Sequence, residues 1–276
     1  MNAFESFQQL VDAGRGPLPL LQAAAQLPQY AERDFDPAQV VADVQGWGER
    51  LRARLPADAS PLHRLRQLNH FFFDELHFQA NADSFYDVAN SYLHRVIARR
   101  AGIPISLSLL YLEIGRAAGL RLFGVGFPGH FLVKLALADG AMLIDVFGGG
   151  IALSVDDLRA RLKAALRGEV EHPLEVYLRT ATEREIVARM LRNLKSIHLH
   201  AADWGAALEV QNRLIALLPE AAEERRDRAL LYDRLECPRA AAEDLTAYFS
   251  LHPNPPDVDD LRARLAQWQQ SARALN

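Results

Sequence analysis

Apolar and polar residues follow two rhythms along this chain, and the change between them marks its centre. Over the first hundred residues the spacing is helical. Phe4, Phe7, Leu10 and Val11 line a helix over 3–13, which the Gly14 and Gly16-Pro17 breaks end. A short helix over 18–26 follows. Asp36 reads as an N-cap with Pro37 at the first helical position, opening a helix to about Leu55. Ser60-Pro61 repeats that signature for a helix through Phe78, with Leu62, Leu65, Leu68, Phe72 and Leu76 as its buried stripe. Asn81 to Ser84 is a turn. The next helix, about 87–100, ends at Arg99-Arg100 and Gly102, where a helix C-terminus favours cations and glycine. From Ile105 to Leu120 the pattern is apolar nearly all round, which predicts a helix buried at the centre of its domain.

The period then shortens to that of strands, in RLFGVGF, HFLVKLAL and AMLIDVF. Ala138-Asp139-Gly140 joins the last two, and Asp-Gly is a strong hairpin signal. Pairing in that register starts one strand at His130 and ends the next near Asp145, bringing the two residues to one end of the hairpin. Gly148 to Gly150 allows a tight reversal. Ser154 with Asp157 predicts a capped helix to about Leu166, and Thr182 with Glu185 predicts another; Gly168 to Pro173 between them reads as a linker. Helices leading into a small antiparallel sheet make an α+β layout.

The tail repeats itself. Shifted by 34 residues, Ala206, Ala207, Glu209, Leu217 and Pro219 fall on Ala240, Ala241, Glu243, Leu251 and Pro253. That period with helix–turn–helix content and a closing proline is the tetratricopeptide signature, with a generic helical hairpin array as the plainer reading. The small residues at 206–207 and 240–241 are where paired helices must approach closely. Two repeats are fewer than usually stand alone, so the tail is expected to lean on the core, with 257–270 as a capping helix. The expected domains are 1–168, a helical N-terminus with the core, and 169–276, the repeat tail.

Composition narrows the function classes. The net charge of −4 is shared evenly, −2 within 183–276 and −2 in the rest, so no basic face points to nucleic acid. No stretch approaches the length of a membrane span, and the N-terminus lacks the pattern of a secretory signal. One cysteine, Cys237, rules out an intrachain disulfide framework and suits a reducing compartment. A cytoplasmic protein is expected.

NSYLHRVIARRAGIPISLSLLYLEIGRAAGL, then GVGFPGHFLVKL and LIDVFGGG, resembles the bacterial SirB family, a branch of the transglutaminase-like superfamily. The likeness covers about residues 40 to 270, with FPGHFLVKL and LIDVFGGG as its most specific part. It implies a papain/transglutaminase-like core with a tetratricopeptide-like tail, and a role in regulation, since the family takes its name from a link to virulence-gene regulation. Catalytic relatives carry G-x-C-x-x-x-A at the start of a helix with a glycine at its far end. Counting back from Gly119 puts Pro104 at the cysteine position, while His130 and Asp145 match the His and Asp positions. Such a site needs a thiolate activated by the helix N-terminus and by imidazolium, with the carboxylate holding the imidazole's tautomer. Proline supplies no nucleophilic atom.

The resemblance therefore implies a non-catalytic module that binds a protein or peptide, with no cofactor and no metal. Its partner would lie on the tail's concave face, in the old active-site cleft, or in both. The alternative is a hydrolase or acyl transferase using Ser106 or Ser108 with His130 and Asp145. Ser108 lies about 40° round the helix from Pro104 and ~5.4 Å deeper, whereas Ser106 lies about 200° round. Either serine also reads plainly as an N-cap or as a core hydroxyl bonded to the previous turn. The His130–Asp145 pair reads equally as a fastening between strands or as a retained binding pocket.

Other candidates carry less. His63, His70 and His77 are spaced by seven, a rise of ~10.5 Å, too far for any two to chelate one ion. They are expected as a stripe on a helix flank. His198 and His200, about 200° apart, also fail as a ligand pair. Gly148 to Gly150 lacks the flanks of a phosphate loop. Phe71-Phe72-Phe73 can turn at most two rings inward.

Overall fold

Helix caps legible in the sequence set most of the boundaries seen in the computed structural model, which describes residues 2–12, 16–32, 34–84, 86–253 and 255–274. In chain order the helices are α1 (Ala3–Asp12), α2 (Leu20–Ala25), α3 (Pro37–Arg54), α4 (Pro61–Asn69), α5 (Leu93–Arg99) and α6 (Pro104–Ala117). After the sheet come α7 (Val155–Ala165), α8 (Leu174–Tyr177), α9 (Glu183–His200), α10 (Trp204–Leu217), α11 (Ala222–Arg234), α12 (Pro238–Leu251) and α13 (Val258–Ala274). The Asp36 side chain accepts from the Ala38 N–H, and Ser60 accepts from the His63 N–H. Ser154 with Asp157, and Thr182 with Glu185, exchange bonds both ways as capping boxes. Each cap is worth about 1 kcal/mol.

Two segments depart from the helical expectation. The helix expected through Phe78 stops at Asn69 and widens into a π-helical turn over His70–Glu75. Leu76 N–H then bonds Phe71 O, and Phe78 N–H bonds Phe72 O. The widened turn breaks the seven-residue register, and His77 falls outside the helix with φ 59°. The three histidines therefore form no stripe. Phe71 and Phe72 are buried and Phe73 is half-buried, as the limit of two inward rings requires. The helix expected over 87–100 is a 3₁₀ turn at Val88–Asn90 followed by α5, which Arg100 ends in the left-handed region.

The chain makes two compact units. One comprises Gly16–Pro28 and Asp34–Met190; the other comprises Met1–Arg15, Gln29–Arg33 and Leu191–Asn276. The division thus falls between Met190 and Leu191, rather than at 168/169. Residues beyond the expected linker belong to the sheet: Thr180 bridges Val125 antiparallel, and Ala181 N–H donates to Gly124 O at 2.8 Å. Lys134 Nζ donates to Leu178 O on the same segment. The chain's first helix, α1, packs on α10.

In the core unit α6 is enclosed on all sides, as its pattern predicts. Leu107, Leu109, Leu110, Leu112 and Ile114 have no exposed surface. Burying one such side chain contributes roughly 1.5–3 kcal/mol. Helix α3 crosses α6 at Gly48, where a Cβ would stand 2.4 Å from Ala117 Cβ, so only glycine permits that approach. The main sheet is antiparallel, in the order β3 (Leu122–Val125), β4 (Leu132–Leu137), β5 (Gly140–Asp145), β6 (Ile151–Leu153). Strands β1 (Gln79–Ala80) and β2 (Ala101–Gly102) form a separate short parallel pair. Val133 faces Ile144 and Leu135 faces Met142 across the hairpin. The three glycines turn the chain back so that β6, which the sequence pattern did not indicate, pairs with β5.

In the tail unit the repeat-matched Ala207 and Ala241 are both fully buried, which is where helices of a pair close on each other. Helix α13 buries Leu261 and Trp268, and the indole N–H donates to Asp233. No described helix is long and apolar enough to cross a membrane.

Candidate functional site

His130 and Asp145 meet at the hairpin end where the sequence places them. His130 stands in the turn before β4, two residues ahead of Leu132, because its N–H closes a turn onto Phe127 O. Asp145 is the last residue of β5. His130 Nε2 lies 2.8 Å from Asp145 Oδ1, the imidazole one-sixth exposed and the carboxylate almost wholly buried. The Phe147 ring meets the imidazole edge-on, with centroids 6.0 Å apart. With Nε2 engaged, Nδ1 is the nitrogen left for another partner.

Two further groups hold the carboxylate. Gly148 N–H donates to Oδ1 at 2.9 Å, and Arg161 Nη1, from α7, donates to Oδ2 at 2.7 Å. A Cβ at Gly148 would lie 2.8 Å from Oδ2, so the close backbone approach depends on glycine. Burial pushes the Asp145 pKa up. The bond to His130, the Gly148 N–H, the His130 charge and the Arg161 bond outweigh that and bring it down to about 2.

A second arginine fastens the turn that carries His130. Arg189, on α9, donates from Nη1 to Phe127 O at 3.2 Å and from Nη2 to His130 O at 2.8 Å. Its guanidinium lies 5.7 Å from the Phe131 ring centroid. Burial pushes its pKa down. Neither arginine was among the residues read from the sequence. Both sit on amphipathic helices among other arginines, and no spacing rule separates them from surface charge.

Pro104 heads α6 at its first helical position, where the lost N–H costs nothing. Ser106 is fully buried and spends its hydroxyl locally, accepting from Ile103 N–H at 3.1 Å and donating to Ile103 O at 3.2 Å. Ser108 is also fully buried, and its Oγ has no hydrogen-bond partner among the described residues. Among the described residues, neither serine hydrogen-bonds His130. One turn on, the Tyr111 hydroxyl, its pKa pushed up by burial, donates to Asn69 Oδ1 at 2.5 Å. Asn69 Nδ2 in turn donates to Gly150 O at 3.2 Å, tying the π-helical turn to the β5–β6 reversal.

His198, His200 and Cys237 belong to the other compact unit. In the tail unit His198 Nε2 is 2.5 Å from the Tyr30 hydroxyl, and His200 Nδ1 is 2.7 Å from Ser196 O. Cys237 is exposed in the turn before α12.

Comparison with known proteins agrees with this architecture. Residues 38–192 match the transglutaminase-like superfamily, and residues 194–266 match a tetratricopeptide repeat family. A UPF0162 protein of Xylella fastidiosa (strain 9a5c) is 37% identical over 250 residues, covering 90% of this chain and 89% of the relative. A UPF0162 protein of Pseudomonas aeruginosa is 33% identical over 245 residues, covering 89% and 87%. Human F-box only protein 21 is 37% identical over 145 residues, 48% of this chain and 21% of that protein. By these matches and by its core and repeat tail, the chain belongs to the transglutaminase-like superfamily and, within it, to the UPF0162 family.

Proposed function

We propose that this is a non-catalytic transglutaminase-like protein of the SirB type, a cytoplasmic module that regulates by binding a protein partner. One observation carries the reading. The position matched to the family's nucleophile is Pro104, and the two serines nearest to it are engaged or enclosed elsewhere. A nucleophile must stand within hydrogen-bond reach of its base, and neither Ser106 nor Ser108 bonds His130 among the described residues. The His130–Asp145 pair then serves as a fastening. Arg161 supports this role, because its bond to Oδ2 ties the same carboxylate to α7 as well as to the imidazole.

The tetratricopeptide match supports a protein partner, as arrays of paired helices present extended binding surfaces. The human relative, in which the matched part is a fifth of the chain, supports a module that is also carried within longer chains.

The test has two arms. A fluorophosphonate probe is expected to leave Ser106 and Ser108 unlabelled. Labelling of either one that disappears in His130→Ala overturns the reading in favour of a serine hydrolase or acyl transferase. Affinity capture from cell extract with the intact chain is expected to retain a protein partner, and hydrogen exchange on the complex to show protection. A chain that retains no partner and protects no surface overturns the binding role.

A further inference from the structure

Buried carboxylates in the tail unit are well matched at two places. Glu224 receives Arg192, Lys195 and Gln211, and Asp244 receives both arms of Arg228. Arg213, on α10, is different. It is 1% exposed, and its Nη1 donates to Glu209 O at 2.8 Å and to Glu209 Oε2 at 3.0 Å, on the same helix. Its Nε is buried with no hydrogen-bond partner among the described residues, and so is Gln29 Oε1. Both residues line one cavity of about 680 Å³, together with Phe4, Ser6, Tyr30 and Glu209. The Phe4 and Tyr30 ring centroids lie 5.8 and 5.3 Å from the guanidinium carbon and pin it in place.

The repeat does not require this arginine. Thirty-four residues on, Glu209 is matched by Glu243, but Arg213 is matched by Ala247. A buried donor and a buried acceptor left unpaired each cost about 1–3 kcal/mol, so a group that meets both recovers that cost on binding.

We propose that this cavity is a binding site for an uncharged peptide segment, whose backbone amide offers its carbonyl to Arg213 Nε and its N–H to Gln29 Oε1. The choice of peptide rests on the protein-binding reading above; the choice of a neutral group rests on the site itself. Glu209 already balances the arginine charge. A carboxylate would face both Glu209 and the Gln29 oxygen, and a cation would face the guanidinium. An amide presents one acceptor and one donor, which is what the two unspent atoms lack. The volume falls within the ~300–1,000 Å³ usual for ligand pockets, and the two rings give apolar walls for a side chain. Gln29 as a whole is half-buried.

The experiment follows the Arg213 Nε–Hε resonance of the ¹⁵N-labelled full chain. Two probes are titrated: acetyl-Ala-Leu-Ala-amide, and the same peptide ending in a free carboxylate. A saturable shift with the amidated peptide is expected, with binding at least tenfold weaker in Gln29→Met and weaker for the carboxylate form. No saturable shift, an equal response in Gln29→Met, or tighter binding of the carboxylate form overturns the proposal. If the intact chain captures a partner from extract while the cavity does not respond, this site fails and the binding-module reading stands. A saturable response in a chain that captures no partner supports the site and removes the module reading.

Discussion

Asp145 holds His130 and Arg161 at the same time, its Oδ1 2.8 Å from the imidazole Nε2 and its Oδ2 2.7 Å from the guanidinium. With Gly148 N–H also on Oδ1, the carboxylate is the hub of the hairpin end, and each partner depends on it more than it depends on any one of them. Asp145→Ala strands three donors at once. Removing one member of a buried ion pair costs about 3–5 kcal/mol, and the low end applies because Arg161 is 39% exposed and can return to water. His130→Ala leaves Asp145 with two donors and costs about 1–2 kcal/mol. Urea unfolding of the two variants measures the order, and a costlier His130→Ala would contradict it.

The same hub makes the core acid-sensitive. The Asp145 pKa falls from the ordinary 3.8 to about 2 in the folded chain, so its contribution is fully present above the unfolded value. It is lost as pH drops through the folded value, a window between about 4 and 2. The amount is of order 2 kcal/mol for a group this buried. Asp145→Asn removes that titration. Stability plotted against pH is expected to fall less steeply in this variant below about pH 4. Parallel curves for the two chains would show that Asp145 is not the group responsible.

The two serines of α6 separate by the opposite signs of their substitutions. Ser106→Ala removes a bond to the Ile103 backbone at the helix start and costs about 1 kcal/mol, the usual worth of a cap. Ser108→Ala removes a buried hydroxyl that has no partner among the described residues, and is neutral or stabilising by up to about 1 kcal/mol. Thermal unfolding of both variants checks the signs. A Ser108→Ala loss of more than about 1 kcal/mol would mean that the hydroxyl is bonded after all.

What the sequence disclosed about this site was what local rules encode. Asp36, Ser60, Ser154 and Thr182 announced their helices because a cap is a short-range bond between residues two or three apart. Asp139-Gly140 fixed the hairpin register, and with it the meeting of His130 and Asp145. The π-helical turn at His70–Glu75 escaped because the apolar spacing from Leu62 to Leu76 reads the same with or without one widened turn. Arg161 and Arg189 escaped because their partners are a carboxylate sixteen residues back and carbonyls some sixty residues back. The division at 190/191 escaped for a related reason: the residues beyond the expected linker at 168–173 reach back some fifty residues to β3, where Thr180 bridges Val125.

In the tail, Arg228 donates to both oxygens of Asp244, at 2.6 and 2.8 Å, and Asp244 is 6% exposed. Arg228→Met keeps most of the side-chain volume but leaves a buried carboxylate uncompensated, at about 3–5 kcal/mol. Arg228→Met combined with Asp244→Leu removes both charges and is expected to recover most of that loss. The double variant's unfolding midpoint decides. A double variant no more stable than Arg228→Met would mean that packing, and not the stranded charge, sets the cost.

Arg189 acts on His130 through the backbone alone. Its two nitrogens reach the carbonyls of Phe127 and His130, and the turn between them is closed by His130 N–H on Phe127 O at 3.0 Å. A planar guanidinium spans both acceptors with one rigid group, which the single ammonium of Arg189→Lys does less well. The loss is expected to be about 1–2 kcal/mol and local to the turn. At 1.4 kcal/mol per factor of ten, the His130 amide should exchange with solvent about five to thirty times faster in the variant. Amides in α6 should be unchanged, since that helix has its own enclosed packing. An unaltered His130 amide would mean that the hairpin itself, held by Asp145, suffices to set the turn.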